Sequence, residues 1–176
     1  MTDVVVLNGG SSSGKSTIAR ALQPQLPTPF LTFSVDDLIE AMPRSMSEED
    51  PAGILISSDG GVIPGPEFRR LEISWNRGLA AIAGSGTGVI LDDVFLGGAA
   101  SQQRVREAFT GLQILWVGVR CDPQVAAARE AARGDRPTGM AASQAELVHL
   151  GVEYDLEVDS AHTSPAECAR LIAARV

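Results

Sequence analysis

The chain has 176 residues, 44% of them hydrophobic, with 14 basic and 22 acidic side chains that give a formal net charge of -8. That length suits one domain with one sizeable core, and the apolar content excludes a disordered chain. The acidic balance excludes a general nucleic-acid binder, which needs a basic face, but leaves room for a small anion in a locally positive loop.

Asp3 to Leu7 is short, β-branched and apolar, which predicts a buried strand. Helix is expected from about Lys15 to Leu26, ended by Pro27 and Pro29. "FLTFS" at 30–34 predicts a second strand, and "VDDLIEAM" at 35–42 a short helix with an acidic start, stopped by Pro43. Residues 43–65 read as one long connection rich in Gly, Pro and acids, a length usually reserved for function or mobility. Helix is expected from Pro66 to about Ala83, strand at 88–93, helix from Ala99 to Phe109 and strand at 112–119. Pro123 suits the first turn of a helix reaching about Arg133, and "GDRPTG" at 134–139 breaks it. A helix over about 141–150, the strand "YDLEV" and a helix starting at Ser164 or Pro165 complete the chain.

Five short apolar strands alternating with helices predict an α/β fold, a parallel sheet covered on both faces in a single domain over 1–176. Ligands should gather at the carboxyl ends of its strands. No apolar run approaches the roughly 20 residues that span a bilayer, and the N-terminus lacks the basic segment of a secretory leader. Cys121 and Cys168 lie far apart without metal-ligand spacing. A reduced, cytoplasmic protein without membrane or nucleic-acid partners is expected.

Gly9-Gly10-Ser11-Ser12-Ser13-Gly14-Lys15-Ser16 matches G-x-x-x-x-G-K-[ST] between a strand and a helix, the phosphate-loop context. Small residues let the backbone curl until several N–H groups converge on one phosphate, and the helix start adds its positive dipole end. Lys15 is the only lysine beside 13 arginines. Its compact charge on a flexible stem suits the β- and γ-phosphates in a way that arginine's planar fork does not. Gly9 to Thr17 are therefore the expected nucleotide-binding residues, and Ser16 is expected to ligate magnesium. "GVILDD" ends an apolar strand in acid, which places a carboxylate beside that metal: Asp92 first, Asp93 second.

Asp36 and Asp37 follow the second strand and so reach the same edge of the sheet. A carboxylate there either accepts a proton from an attacking hydroxyl or caps the helix, and one of the two residues can do each. Arg129, Arg133 and Arg136 surround the Gly/Pro break and suit a lid at about 129–141 that brings charge onto a transferring phosphoryl group, Arg129 less so than the other two. His149 and His162 lack metal partners at useful spacing, and Trp75 and Trp116 read as core packing. Phe33, Met42 and Phe95 flank strand ends and suit either an apolar substrate pocket or the core.

"LNGGSSSGKS", "VDDLIEAMP", "GPEFRRLE", "DDVFLGGAA", "ILWVGVRCD", "ARGDRPTGMA" and "GVEYDLEVD" together resemble the chloramphenicol phosphotransferases, over almost the whole chain. The resemblance implies a three-layer, nucleotide-kinase-like P-loop fold with central strand order 2-3-1-4-5. It also implies ATP and magnesium as cofactors, and transfer of the γ-phosphate to the primary hydroxyl of chloramphenicol, which gives resistance. Asp36 falls where the family's proposed base lies, and Arg133 and Arg136 fall on its lid arginines. Residues 44–63 are the least familiar stretch, and Ser34 stands where a smaller residue is expected. Both changes sit at the acceptor end, so another hydroxylated antibiotic, aminocyclitol- or sugar-containing, is an alternative acceptor. The rival readings are a shikimate- or gluconate-type metabolic kinase and a nucleotide-dependent regulatory ATPase. Anionic acceptors need extra cations, and residues 36–66 supply only Arg44. A GTPase would want a base-recognition motif such as N-K-x-D, and the sole lysine is already in the loop.

Overall fold

The structure is a computed structural model that describes residues 2–48, 50–57, 61–133 and 139–176. In chain order the elements are β1 (Val4–Asn8), α1 (Lys15–Leu22), a 3-10 turn (Gln23–Gln25), β2 (Phe30–Ser34), α2 (Val35–Ala41), α3 (Ser45–Glu48), β3 (Ile54–Ile56) and β4 (Val62–Pro64). They continue with α4 (Pro66–Gly84), β5 (Gly88–Asp93), α5 (Ala99–Ala108), β6 (Ile114–Arg120), α6 (Pro123–Arg133), α7 (Met140–Leu147), β7 (Leu156–Asp159) and α8 (Pro165–Ala173).

Five strands form one sheet in the order β2-β5-β1-β6-β7, and every neighbouring pair in it is parallel. Counting only these five, the order is 2-3-1-4-5; the labels differ because β3 and β4 pair antiparallel in a separate hairpin. The central strand shows why the fold has three layers. Val5 and Leu7 join Ile18, Leu22, Val117, Cys168 and Ile172 in a buried cluster under α1 and α8. Val4 and Val6 point the other way, into a cluster with Leu79, Leu91, Phe95, Val105, Phe109 and Trp116 under α4 and α5. A period of two along an unbroken apolar strand thus feeds both faces. A third, smaller cluster joins Leu38, Met42, Ile54 and Phe68 beyond β2, around the hairpin.

Two local expectations change. The first helix stops at Leu22, and the following 3-10 turn has a proline near its start, Pro24, which cannot donate to an α-helical ladder and crowds the preceding turn. The 43–65 stretch contains α3 and the β3–β4 hairpin as well as loop. Among the described residues no helix is long and apolar enough to cross a membrane. Both cysteines are free, with Cys168 buried.

Candidate active site

The carboxyl ends of β1, β2 and β5 open onto one cleft, bounded by the 9–14 loop, the start of α2, the hairpin and the first turns of α4. Of the expected phosphate-site residues, Ser11, Ser12, Gly14, Lys15, Ser16 and Thr17 line it, while Ser13 is buried behind. Gly14 takes φ 92°, a left-handed turn that suits glycine, just before α1 begins. Ser12 also has positive φ, 57°, in the same curl.

Lys15 is 6% exposed and its Nζ donates to the Gly10 carbonyl at 3.0 Å. The same Nζ lies 3.7 Å from Asp92 Oδ1. Ser16 Oγ donates to Asp92 Oδ2 at 2.6 Å. The β1–β5 register causes this meeting: Leu7 pairs with Asp92 and Asn8 with Asp93, so β5 ends in acid where the loop leaves β1. Asp93 also lines the cleft, and its Oδ1 accepts from Val94 N–H at 2.6 Å. Burial pushes the Asp93 carboxyl up to about 7, partly offset by the Val94 N–H, with the charges of Glu72 and Asp92 adding to the rise.

Asp36 and Asp37 separate. Ser34 is the N-cap of α2, and Asp37 closes a capping box with it: Asp37 Oδ2 accepts from Ser34 N–H at 2.6 Å while Asp37 N–H donates to Ser34 Oγ at 3.2 Å. Asp36 instead lines the cleft.

Arg69 and Glu72 of α4, not among the residues expected from the sequence, also line the cleft. Arg69 Nη1 donates to both Glu72 carboxylate oxygens, at 3.1 and 2.9 Å, and Arg104 Nε donates to Glu72 Oε2 at 3.2 Å. Their i, i+3 spacing at the start of a helix that follows the long connection was the available signal. Arg129 belongs to the back of the loop: its guanidinium reaches Ser13 O at 3.5 Å and Ser160 O at 2.7 Å. Arg133 is the last residue of α6, and Arg136 lies outside the described residues. Phe95 and Met42 are core, and Phe33 packs edge-on against Trp75 with ring centroids 6.1 Å apart; none of the three lines the cleft.

Behind the loop, Asn8 Oδ1 accepts from Phe95 N–H at 2.9 Å, and its Nδ2 donates to Tyr154 Oη at 2.6 Å and to Val148 O at 2.8 Å. Tyr154 Oη lies 2.6 Å from His149 Nδ1. Burial, with the charge of Arg120, lowers the His149 pKa to about 4, so the ring is a neutral partner in this network.

A profile of the family described as chloramphenicol phosphotransferase-like protein matches residues 2–176. The chain belongs to that family. Two Mycobacterium tuberculosis proteins provisionally named O-phosphotransferases, from strains CDC 1551 and H37Rv, are each 32% identical over 178 aligned positions, covering 95% of this chain and 79% of theirs. An unliganded sugar kinase from Janibacter sp. HTCC2649 superposes with a TM-score of 0.73 at 19% identity, over 99% of this chain and 94% of that one. The Deinococcus radiodurans tunicamycin resistance protein superposes at 0.65 and 17% identity, over 98% and 94%. This chloramphenicol phosphotransferase-like chain is a P-loop kinase, a phosphotransferase of the small-molecule type.

Two features of this family member fit a phosphate and a hard cation. The buried hydroxyl of Ser12, which lines the cleft, has no hydrogen-bond partner among the described residues. Ser16 and Asp92 present oxygen donors side by side, the ligand type that magnesium prefers.

Proposed function

We propose that this phosphotransferase moves the γ-phosphate of ATP to a hydroxyl of chloramphenicol or a related hydroxylated antibiotic, in the cytoplasm, and so gives resistance. The observation that carries the reading is one cleft with a phosphate loop at one end and Asp36 beside an apolar wall at the other. In this reading Gly9 to Thr17 hold the nucleotide, and Lys15 turns from the Gly10 carbonyl to the β- and γ-phosphates. Ser16 and Asp92 would hold magnesium, which when bound neutralises charge on the phosphate oxygens. Asp36 accepts the proton of the attacking hydroxyl, while Asp37 stays in its capping box. Arg133 and Arg136, at the lid of about 129–141, meet the charge that develops on the transferring group.

The wall supports this acceptor class. Val35, Ile39, Ile54, Val62, Pro64 and Phe68 supply apolar surface. The guanidinium of Arg69 is already paired with Glu72. Asp36, Glu72 and Asp93 add carboxyl groups to the same cleft. That balance favours a neutral, amphipathic alcohol over an anion such as gluconate or shikimate.

The test is acceptor-dependent ADP release against chloramphenicol, aminocyclitol and sugar-containing antibiotics, gluconate and shikimate. Stimulation by one of the antibiotics is expected. Stimulation by the anions alone would replace this reading with a metabolic kinase, and slow turnover that no acceptor changes would replace it with a regulatory ATPase.

A further inference from the structure

The phosphate loop does not rest on its own curl alone. Helix α7, whose Met140 and Gln144 also line the cleft, grips it at two points. Ser11 N–H donates to Gln144 Oε1 at 2.8 Å, and Asn8 Nδ2 donates to the Val148 carbonyl at 2.8 Å. Gln144 and Val148 are one helical turn apart, and Asn8 and Ser11 bracket Gly9 and Gly10. Between the two bonds Gly10 lies directly on the helix, while Gly9 lies against Val119 of β6. A Cβ at Gly10 would sit 3.2 Å from the Gln144 carbonyl carbon and 3.3 Å from Ala145 N. Gln144 itself is 4% exposed, so its oxygen has little access to water as a competing partner.

The grip is braced at its far side by two successive residues of α6. The buried Glu130 carboxylate accepts from Gly139 N–H at 2.8 Å and from Ala141 N–H at 2.7 Å, fixing the start of α7. Arg129 reaches Ser13 O, and Ser160 Oγ donates to the same carbonyl at 2.6 Å. A Gly/Ser loop has much backbone freedom to lose when its N–H groups converge on a phosphate. Ordering it beforehand removes that cost from nucleotide binding.

We propose that Gln144 is a positioning residue for the phosphate loop, its side-chain oxygen holding the Ser11 N–H so that Gly10 is seated on α7 before nucleotide arrives. The inference rests on the phosphate-loop reading of Gly9 to Ser16, so its first readout is taken without nucleotide.

Gln144→Met keeps the length and removes the acceptor; Gln144→Glu keeps an oxygen at the same reach. Amide exchange at Ser11 is followed by NMR in the protein alone, ADP affinity by calorimetry, and acceptor KM by steady-state assay. In Gln144→Met, Ser11 exchange should rise and ADP affinity fall, each by about tenfold, the scale of one lost buried hydrogen bond, with acceptor KM unchanged. In Gln144→Glu, Ser11 protection should return, whatever the added charge does to ADP. Unchanged Ser11 exchange in Gln144→Met, or no recovery in Gln144→Glu, overturns the proposal. A fall in ADP affinity with a parallel rise in acceptor KM and a lowered melting temperature would make Gln144 a packing residue only, which also overturns it. Should Gln144→Met not fold, Gln144→Asn, one methylene too short to reach Ser11, carries the same expectations. Failure of the loop reading would show separately, as ADP binding that Lys15→Met leaves intact.

Discussion

Lys15 Nζ has a backbone carbonyl at 3.0 Å and a carboxylate oxygen at 3.7 Å, so its charge is buried yet not matched in a close ion pair. Replacing it with methionine keeps the stem and removes the charge. Lys15→Met should fold, as circular dichroism would check, and lose about 10³-fold or more in kcat, because charge on the β/γ oxygens goes unmatched. Lys15→Arg should not restore the rate, since a planar fork cannot take the place of a point charge. The two aspartates of α2 give a sharper contrast. Asp36→Asn should keep ADP binding and lose about 10² to 10⁴ in kcat, the range of a general base. Asp37→Ala should instead cost about 1 kcal/mol of stability through its capping box and change kcat little. Melting and kinetic assays on the two folded variants read both effects; a larger kcat loss at Asp37 would exchange the roles. The meeting of Ser16 with Asp92 was legible because each lies in a local pattern, a glycine-rich turn and an apolar strand ending in acid. What Arg129 reaches was not: Ser13 is 116 residues away, and nothing local in either stretch points to the other.

At the scale of elements, the long β-branched strands and their helices could be read from periodicity, because burial on both faces leaves an unbroken apolar run. The hairpin could not. Its strands have three residues each, too few for a period to show, and they are defined by pairing with each other. Burial of Ile54 and Phe68 in the third cluster ties this hairpin to α4 and α2. Ile54→Ala should therefore loosen the acceptor wall alone. The expected result is an acceptor KM raised about tenfold, in line with a partly collapsed core site, with ADP affinity unchanged by calorimetry. An equal loss of ADP affinity would show that the hairpin and the loop move as one unit.

For the molecule as a whole, the buried network behind the loop sets a dependence of stability on pH. The unfolded chain protonates His149 near 6.5, whereas the folded protein resists until about 4, chiefly because the ring is buried and next because of Arg120. Between those values the unfolded state binds more protons, so this group's stabilisation is full above the unfolded value and is lost as pH falls through the window. The loss is at most about 3 kcal/mol and smaller after solvent relaxation. Asp93 works in the opposite direction, since its raised carboxyl makes the folded state the better proton binder from about 7 down to its ordinary value. Urea midpoints of the wild type and His149→Gln at pH 7, 5.5 and 4.5 isolate the histidine. The wild type should lose more stability than the variant on acidification; parallel curves would mean that the ring is solvated.

Because β3 and β4 hydrogen-bond to one another and stand outside the parallel sheet, the hairpin can change in sequence without breaking that sheet. Ile54, Val62 and Pro64 give the cleft part of its apolar wall, yet no ladder bond of the five-stranded sheet depends on them. A lineage can therefore replace this short cassette by substitution or recombination and inherit its phosphate chemistry unaltered. A shift of acceptor would act first on the 43–65 segment, and acceptor preference would diverge among relatives faster than their nucleotide sites do.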